Sequence, residues 1–113
     1  MAKPEFEFFD VNQVNWEPAT GIRKGLFIKM LSEDQETGAY TRLLRWEPGD
    51  EISEKLVHDF WEEIYIIKGR ILDLSNNQEY TAGMYACRPP GMIHGPAKAL
   101  EPTLMFEVTY YTK

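Results

Sequence analysis

Gly83-Met84-Tyr85-Ala86-Cys87-Arg88-Pro89-Pro90-Gly91-Met92-Ile93-His94 decides how this chain is read. Met84 to Cys87 is a short β-prone run. Pro89-Pro90-Gly91 then combines a fixed φ with the left-handed freedom of glycine, which suits a tight reversal. A turn of this kind can swing a short strand across the mouth of a barrel and present the imidazole of His94 inward.

The rest of the chain follows the same grammar. β-branched and aromatic runs are separated by Gly, Pro, Asn and Asp, and no segment sustains a helical period. The predicted strands are Phe6–Phe9, Leu26–Leu31, Tyr40–Trp46, Glu63–Lys68, Arg70–Leu74, Met84–Cys87 and Leu104–Tyr111. Glu36-Thr37-Gly38, Glu47-Pro48-Gly49-Asp50 and Ser75-Asn76-Asn77 punctuate them. Without crossover helices a parallel α/β sheet is excluded, so the fold class is all-β, a sandwich or a closed barrel. The chain reads as one domain, residues 1–113. Residues 1–24 form an N-terminal segment whose Phe6-Glu7-Phe8-Phe9 run is expected to be an edge strand, packed on the barrel or on a second subunit. Residues 25–111 are the barrel core.

At 113 residues and 43% apolar content, the chain can bury a core without staples. Its net charge of −6 comes with no run of Lys or Arg able to track a phosphate backbone, which argues against a nucleic-acid partner. No apolar stretch is long enough to span a bilayer, so no membrane partner is expected. Cys87 is the one cysteine and cannot form an intrachain disulfide; it reads as buried filler. With no apolar leader at the N-terminus, a reducing cytoplasm is the expected compartment.

Both histidines lie in the C-terminal half, and His58 stands four residues before Glu62. In an extended chain that even spacing sends both side chains to one face, where His94 has to arrive from another strand. The segment from Gly83 through Pro89, Pro90 and Gly91 to His94 resembles the second sequence motif of the cupins, with Lys98 at the position of that motif's closing Asn. Pro48-Gly49 through Gly69 resembles the first motif. His58, Glu62 and Gly69 occupy the places of its second His, its Glu and its closing Gly, Leu56 stands where its first His belongs, and one extra residue follows Gly49. The resemblance spans about Arg42 to Tyr110, and Glu62-Glu63-Ile64-Tyr65-Ile66-Ile67-Lys68-Gly69 is similar to the small single-domain cupins that include acetylacetone-cleaving dioxygenases and an anti-sigma-factor cupin.

The resemblance implies a double-stranded β-helix, or jelly-roll barrel, with His58, Glu62 and His94 as ligands of a divalent metal ion, whether Fe, Zn, Mn or Ni. Two imidazoles and a carboxylate leave open positions for substrate. Glu54 and Glu63 are candidates to replace the donor missing at Leu56, although Glu63 should point the opposite way from Glu62. The implied function is a metal-dependent enzyme acting on a dicarbonyl, oxo-acid or related chelator, by dioxygenase or lyase/isomerase chemistry. The alternative is a non-catalytic ligand-binding or sensor module. Glu63, Tyr85, Arg42 and Arg45 are the weaker catalytic candidates; by alternation only one of the two arginines faces inward, and surface ion pairing is the plainer reading of each. Tyr40, Trp46, Tyr65, Tyr85, Phe106 and Tyr110 are candidates to line the cavity. A homodimer is expected.

Overall fold

The computed structural model describes residues 3–19 and 25–112. Ten strands are defined among them: β1 (Glu17–Pro18), β2 (Leu26–Glu33), β3 (Tyr40–Trp46), β4 (Glu51–Ile52), β5 (Trp61–Lys68), β6 (Arg70–Asp73), β7 (Gln78–Thr81), β8 (Tyr85–Arg88), β9 (Ala97–Ala99) and β10 (Thr103–Tyr110). A 3-10 turn, Val11–Gln13, precedes them, with the Asp10 carboxylate accepting from the Asn12 amide. All pairings between strands are antiparallel. One sheet runs β1-β2-β3-β10-β5-β8 and the other β4-β9-β6-β7. This is the jelly-roll architecture expected from the sequence.

Alternation sorts each strand into an inward and an outward set. On β10, Thr103, Met105, Glu107 and Thr109 are buried, and on β5, Glu62, Ile64 and Ile66 are. Leu26, Leu44, Trp46, Ile64, Ile66, Ile71, Ala99 and Met105 form the core between the sheets. Each large member contributes about 1.5–3 kcal/mol by leaving water. The core fills one part of the barrel, and polar side chains on the same strands occupy the rest.

The turns form where the residue types place them. Asp34 accepts from the Glu36 and Thr37 amides, and Asp73 does the same for Ser75. Gly69, between β5 and β6, adopts φ +104° against Pro102 and Thr103, where a Cβ would collide with the Thr103 side chain and the Pro102 carbonyl. Only glycine fits that reversal.

The N-terminal segment departs from expectation. Phe6–Phe9 is not a strand: Phe8 is fully exposed, and Phe6 and Phe9 make only an edge contact with each other, with centroids 5.2 Å apart. The aromatic run was present, but no strand among the described residues pairs with it. Residues 1–2 and 20–24 of the 1–24 segment lie outside the described residues. Further along, Trp16 lies over the outer face of the larger sheet, close to Lys29 and Arg45, and Lys29 donates to the Val11 carbonyl.

Candidate metal centre

Glu62 projects inward from β5, a strand paired on both sides, and is only 4% exposed. Its cross-strand neighbours are Arg88 on β8 and Thr109 on β10. Arg88 Nη1 donates to Glu62 Oε1 at 2.9 Å. On β10, Glu107 lies diagonal to Glu62 and opposite Arg42 of β3, whose Nε donates to it. Arg42, Glu107, Glu62 and Arg88 thus form a row across four strands. Burial first, and then the hydrogen bond to Glu62, pushes the Glu107 carboxyl up to about 8 against the opposing pull of Arg42. Burial pushes Glu62 up as well, but the hydrogen bonds from Glu107 and Arg88 and the charge of Arg88 outweigh it and hold Glu62 below the usual range. Glu107 carries the proton and Glu62 the charge.

The two histidines come from connecting segments. Leu56 and His94 exchange backbone hydrogen bonds in an isolated bridge, and the Gly91 amide donates to the His58 carbonyl at 2.9 Å. Gly91 has φ +85°, so the Pro-Pro-Gly turn joins the two histidine-bearing segments directly. Only this single bridge, not a longer strand, carries His94 inward. His58 reaches the same space without the extended backbone expected for residues 58–62, since residues 57–60 are irregular and β5 starts at Trp61. Its ring stacks on Phe60, centroids 4.6 Å apart and planes at 10°, and lies 5.2 Å from the ring of His94.

Donor atoms of His58, Glu62 and His94 all fall within 4.8 Å of one another. His94 Nε2 is buried, has no hydrogen-bond partner among the described residues, and sits 3.7 Å from Glu62 Oε1. Burial, followed by the charge of Arg88, pushes the His94 imidazole down to about 4, so it is neutral at pH 7. A neutral imidazole nitrogen with no partner, aimed at a charged carboxylate beside a second imidazole, is a donor set that fits a divalent ion.

The three donors open into an inner chamber of 170 Å³, also lined by Tyr40, Arg42, Leu56, Arg88 and Glu107. Beyond it lies a groove of 560 Å³ walled by Ile66, Met84, Met92, Ile93 and Met105 on its apolar side. Asp73, Arg88 and His94 line both spaces.

The weaker candidates divide by strand parity. Arg42 faces the chamber. Arg45 faces out, between the rings of Trp16 and Phe27, with Glu47 at 3.6 Å. Glu63 and Tyr85 are hydrogen-bonded to each other, with Tyr110 also donating to Glu63, on the outer face of the sheet. Odd positions of β5 and β8 point away from the chamber, which removes both from its lining, although Tyr85 borders the groove. Neither Glu54 nor Glu63 lines the chamber in place of the donor missing at Leu56. Tyr40 and Trp46 line it as expected, whereas Tyr65, Phe106 and Tyr110 do not. Cys87 is exposed rather than buried, because it shares the outward parity of Tyr85. Sequence reasoning missed Arg88 and Glu107. Their inward parity with Ala86 and Met105 was the available signal.

A family model described as the ChrR cupin-like domain matches residues 5–112. The chain belongs to the ChrR cupin-like family. No curated protein matches this cupin. Among solved structures it is similar to an RmlC-like cupin from Shewanella frigidimarina, at 21% identity and TM-score 0.75, over 100% of this chain and 96% of that one. It is also similar to an acetylacetone dioxygenase from Acinetobacter johnsonii, at 18% identity and TM-score 0.74, over 96% of this chain and 74% of that one. A third similar structure, described as a predicted oxalate decarboxylase from Thermotoga maritima, has 15% identity and TM-score 0.75, over 94% of this chain and 100% of that one. At these identities the likeness is one of fold. Among the described residues no helix is long and apolar enough to cross a membrane.

Proposed function

We propose that this cupin is a metal-dependent enzyme acting on a dicarbonyl, oxo-acid or related chelating substrate, by dioxygenase or lyase/isomerase chemistry. The observation that carries this reading is the buried, unpartnered Nε2 of His94, held beside His58 and the charged Glu62. His58, Glu62 and His94 would hold the ion, whether Fe, Zn, Mn or Ni. When bound, a divalent ion there supplies Lewis-acid polarisation of a substrate oxygen. The chain's own residues supply the surroundings. Arg42 sets a positive charge in the chamber wall, Tyr40 and Trp46 give that wall aromatic surface, and Glu107 keeps a proton with a pKa of about 8 that it can hold or release near neutrality.

Leu56 favours a second reading. It lines the chamber where a further donor would strengthen the site, and a weaker site suits a non-catalytic ligand-binding or sensor module. Metal analysis of tag-free protein separates the outcomes. Near-stoichiometric iron, zinc, manganese or nickel that is lost in His94→Ala supports the site, and equal loading of the variant sinks it. If iron is found, oxygen uptake with β-diketones and oxo acids supports the enzyme, and silence across that panel favours the module.

A second copy of this chain is the proposed macromolecular partner. Phe106 and Tyr65 are cross-strand neighbours on the outer face of the larger sheet, and both are exposed, as is Ile67. Pairing two such faces about a two-fold axis would bury them. A cytoplasmic setting, which keeps an exposed thiol such as Cys87 reduced, accords with this reading.

A further inference from the structure

We infer that Arg88 is a specificity-determining residue that receives the carboxylate of a 2-oxo acid whose apolar side chain lies along Met84, Met92 and Ile93. This deepens the proposed function and rests on it.

Arg88 stands at the junction of the two spaces, its side chain 24% exposed and part of the wall of both. One guanidinium nitrogen, Nη1, is committed to Glu62. The other guanidinium N–H groups form no hydrogen bond among the described residues, and their planar array suits a carboxylate.

Charge balance points the same way. With Glu107 protonated, Asp73 and Glu62 bring two negative charges to the lining of the inner chamber, and Arg42 and Arg88 two positive ones. A divalent ion turns that balance into a net positive charge, so a metal-loaded chamber favours an anion. Size divides the ligand. The inner 170 Å³ has room for roughly half a dozen water-sized groups, enough for an oxo-acid head but not for a long chain. The groove outside begins at Arg88, and Met84, Met92 and Ile93 on its wall are 45%, 44% and 64% exposed, an adaptable apolar surface placed where a side chain would emerge.

The test uses zinc-loaded protein, with metal content measured for every sample, and calorimetric titration of three probes. These are 4-methyl-2-oxopentanoate, its uncharged analogue 5-methylhexane-2,3-dione, and pyruvate. The expected result is that the branched oxo acid binds about tenfold or more tighter than the dione, and also tighter than pyruvate. In Arg88→Gln that charge preference shrinks to about twofold or less at equal zinc content, and Arg88→Lys restores part of it. A metal-loaded wild type without preference between oxo acid and dione overturns the carboxylate role and leaves the metal reading standing, as does an Arg88→Gln variant that keeps the preference. Pyruvate binding as tightly as the branched acid overturns the apolar arm. If the protein takes up no zinc yet prefers the oxo acid in an Arg88-dependent way, the metal reading falls and the Arg88 subsite survives; with neither zinc nor preference, both fall.

Discussion

Leu56 and His94 exchange both backbone hydrogen bonds, Leu56 N to His94 O at 2.7 Å and His94 N to Leu56 O at 2.9 Å. Position 56 is therefore fixed opposite a proposed ligand, on the lining of the chamber, and carries leucine. A histidine there would stand beside the other donors without moving the backbone. Leu56→His is expected to tighten zinc binding about tenfold or more, as read by competition with a chromophoric chelator. Unchanged affinity would show that the side chain at this position cannot reach the ion.

Glu107 sets a pH dependence of stability. Its folded pKa of about 8 lies above the ordinary carboxyl value of 4.5, so its protonated form is the one that folding favours. Its contribution is complete below about pH 4.5, fades as pH rises toward 8, and levels off above that. In metal-free protein the loss from this group is on the order of 5 kcal/mol. Glu107→Gln keeps the neutral shape and is expected to flatten the urea-unfolding free energy between pH 5 and 8. If the variant shows the wild-type slope, Glu107 does not hold that proton.

His94 acts in the opposite direction on the acid side. Its folded pKa of about 4 lies below the ordinary 6.5, so it stabilises the fold above pH 6.5 and that stability is lost as pH falls toward 4. In metal-free protein, His94→Gln is expected to lessen the acid-induced fall between pH 6.5 and 4.5, measured by the same unfolding series. A variant that loses stability on acidification as steeply as wild type would assign the effect to other groups.

The bounds of β3 were legible to the residue, since Tyr40–Trp46 is a β-prone run that stops at Glu47-Pro48-Gly49, and both flanking strands use its ladder. The Gly83 to His94 spacing located the turn and the histidine, and parity put Glu62 inward and Glu63 outward. Short strands such as Glu51–Ile52 and Ala97–Ala99 went unseen, because their pairing comes from tertiary contact and not from local propensity. Phe6–Phe9 failed for the converse reason, strong propensity with no pairing strand among the described residues. Glu107 was overlooked because a carboxylate on an apolar strand reads as surface, and only the neighbouring Glu62 and Arg42 make its burial tolerable.

Gly69→Ala is expected to destabilise the protein by about 2–4 kcal/mol, since a Cβ at φ +104° meets Thr103 and the Pro102 carbonyl. Equilibrium unfolding in urea measures this. A loss under about 0.5 kcal/mol would mean that the β5–β6 reversal relaxes freely.

If the outer sheet face is a dimer interface, Phe106→Glu should yield monomers at micromolar concentration where wild type yields dimers, as read by light scattering after size exclusion. A monomeric wild type removes the second copy as partner.

Glu62 is anchored in a strand paired on both sides, whereas His58 and His94 sit on two segments tied to each other by the Gly91–His58 and Leu56–His94 contacts. An ion gripping all three would act as a clasp between a rigid plank and a hinged flap. Its departure would loosen the flap and leave the plank intact, so hydrogen exchange should quicken around residues 54–60 and 89–96 while the sheet amides keep their protection. The barrel would then outlive its clasp, and reloading would require only that the flap close again.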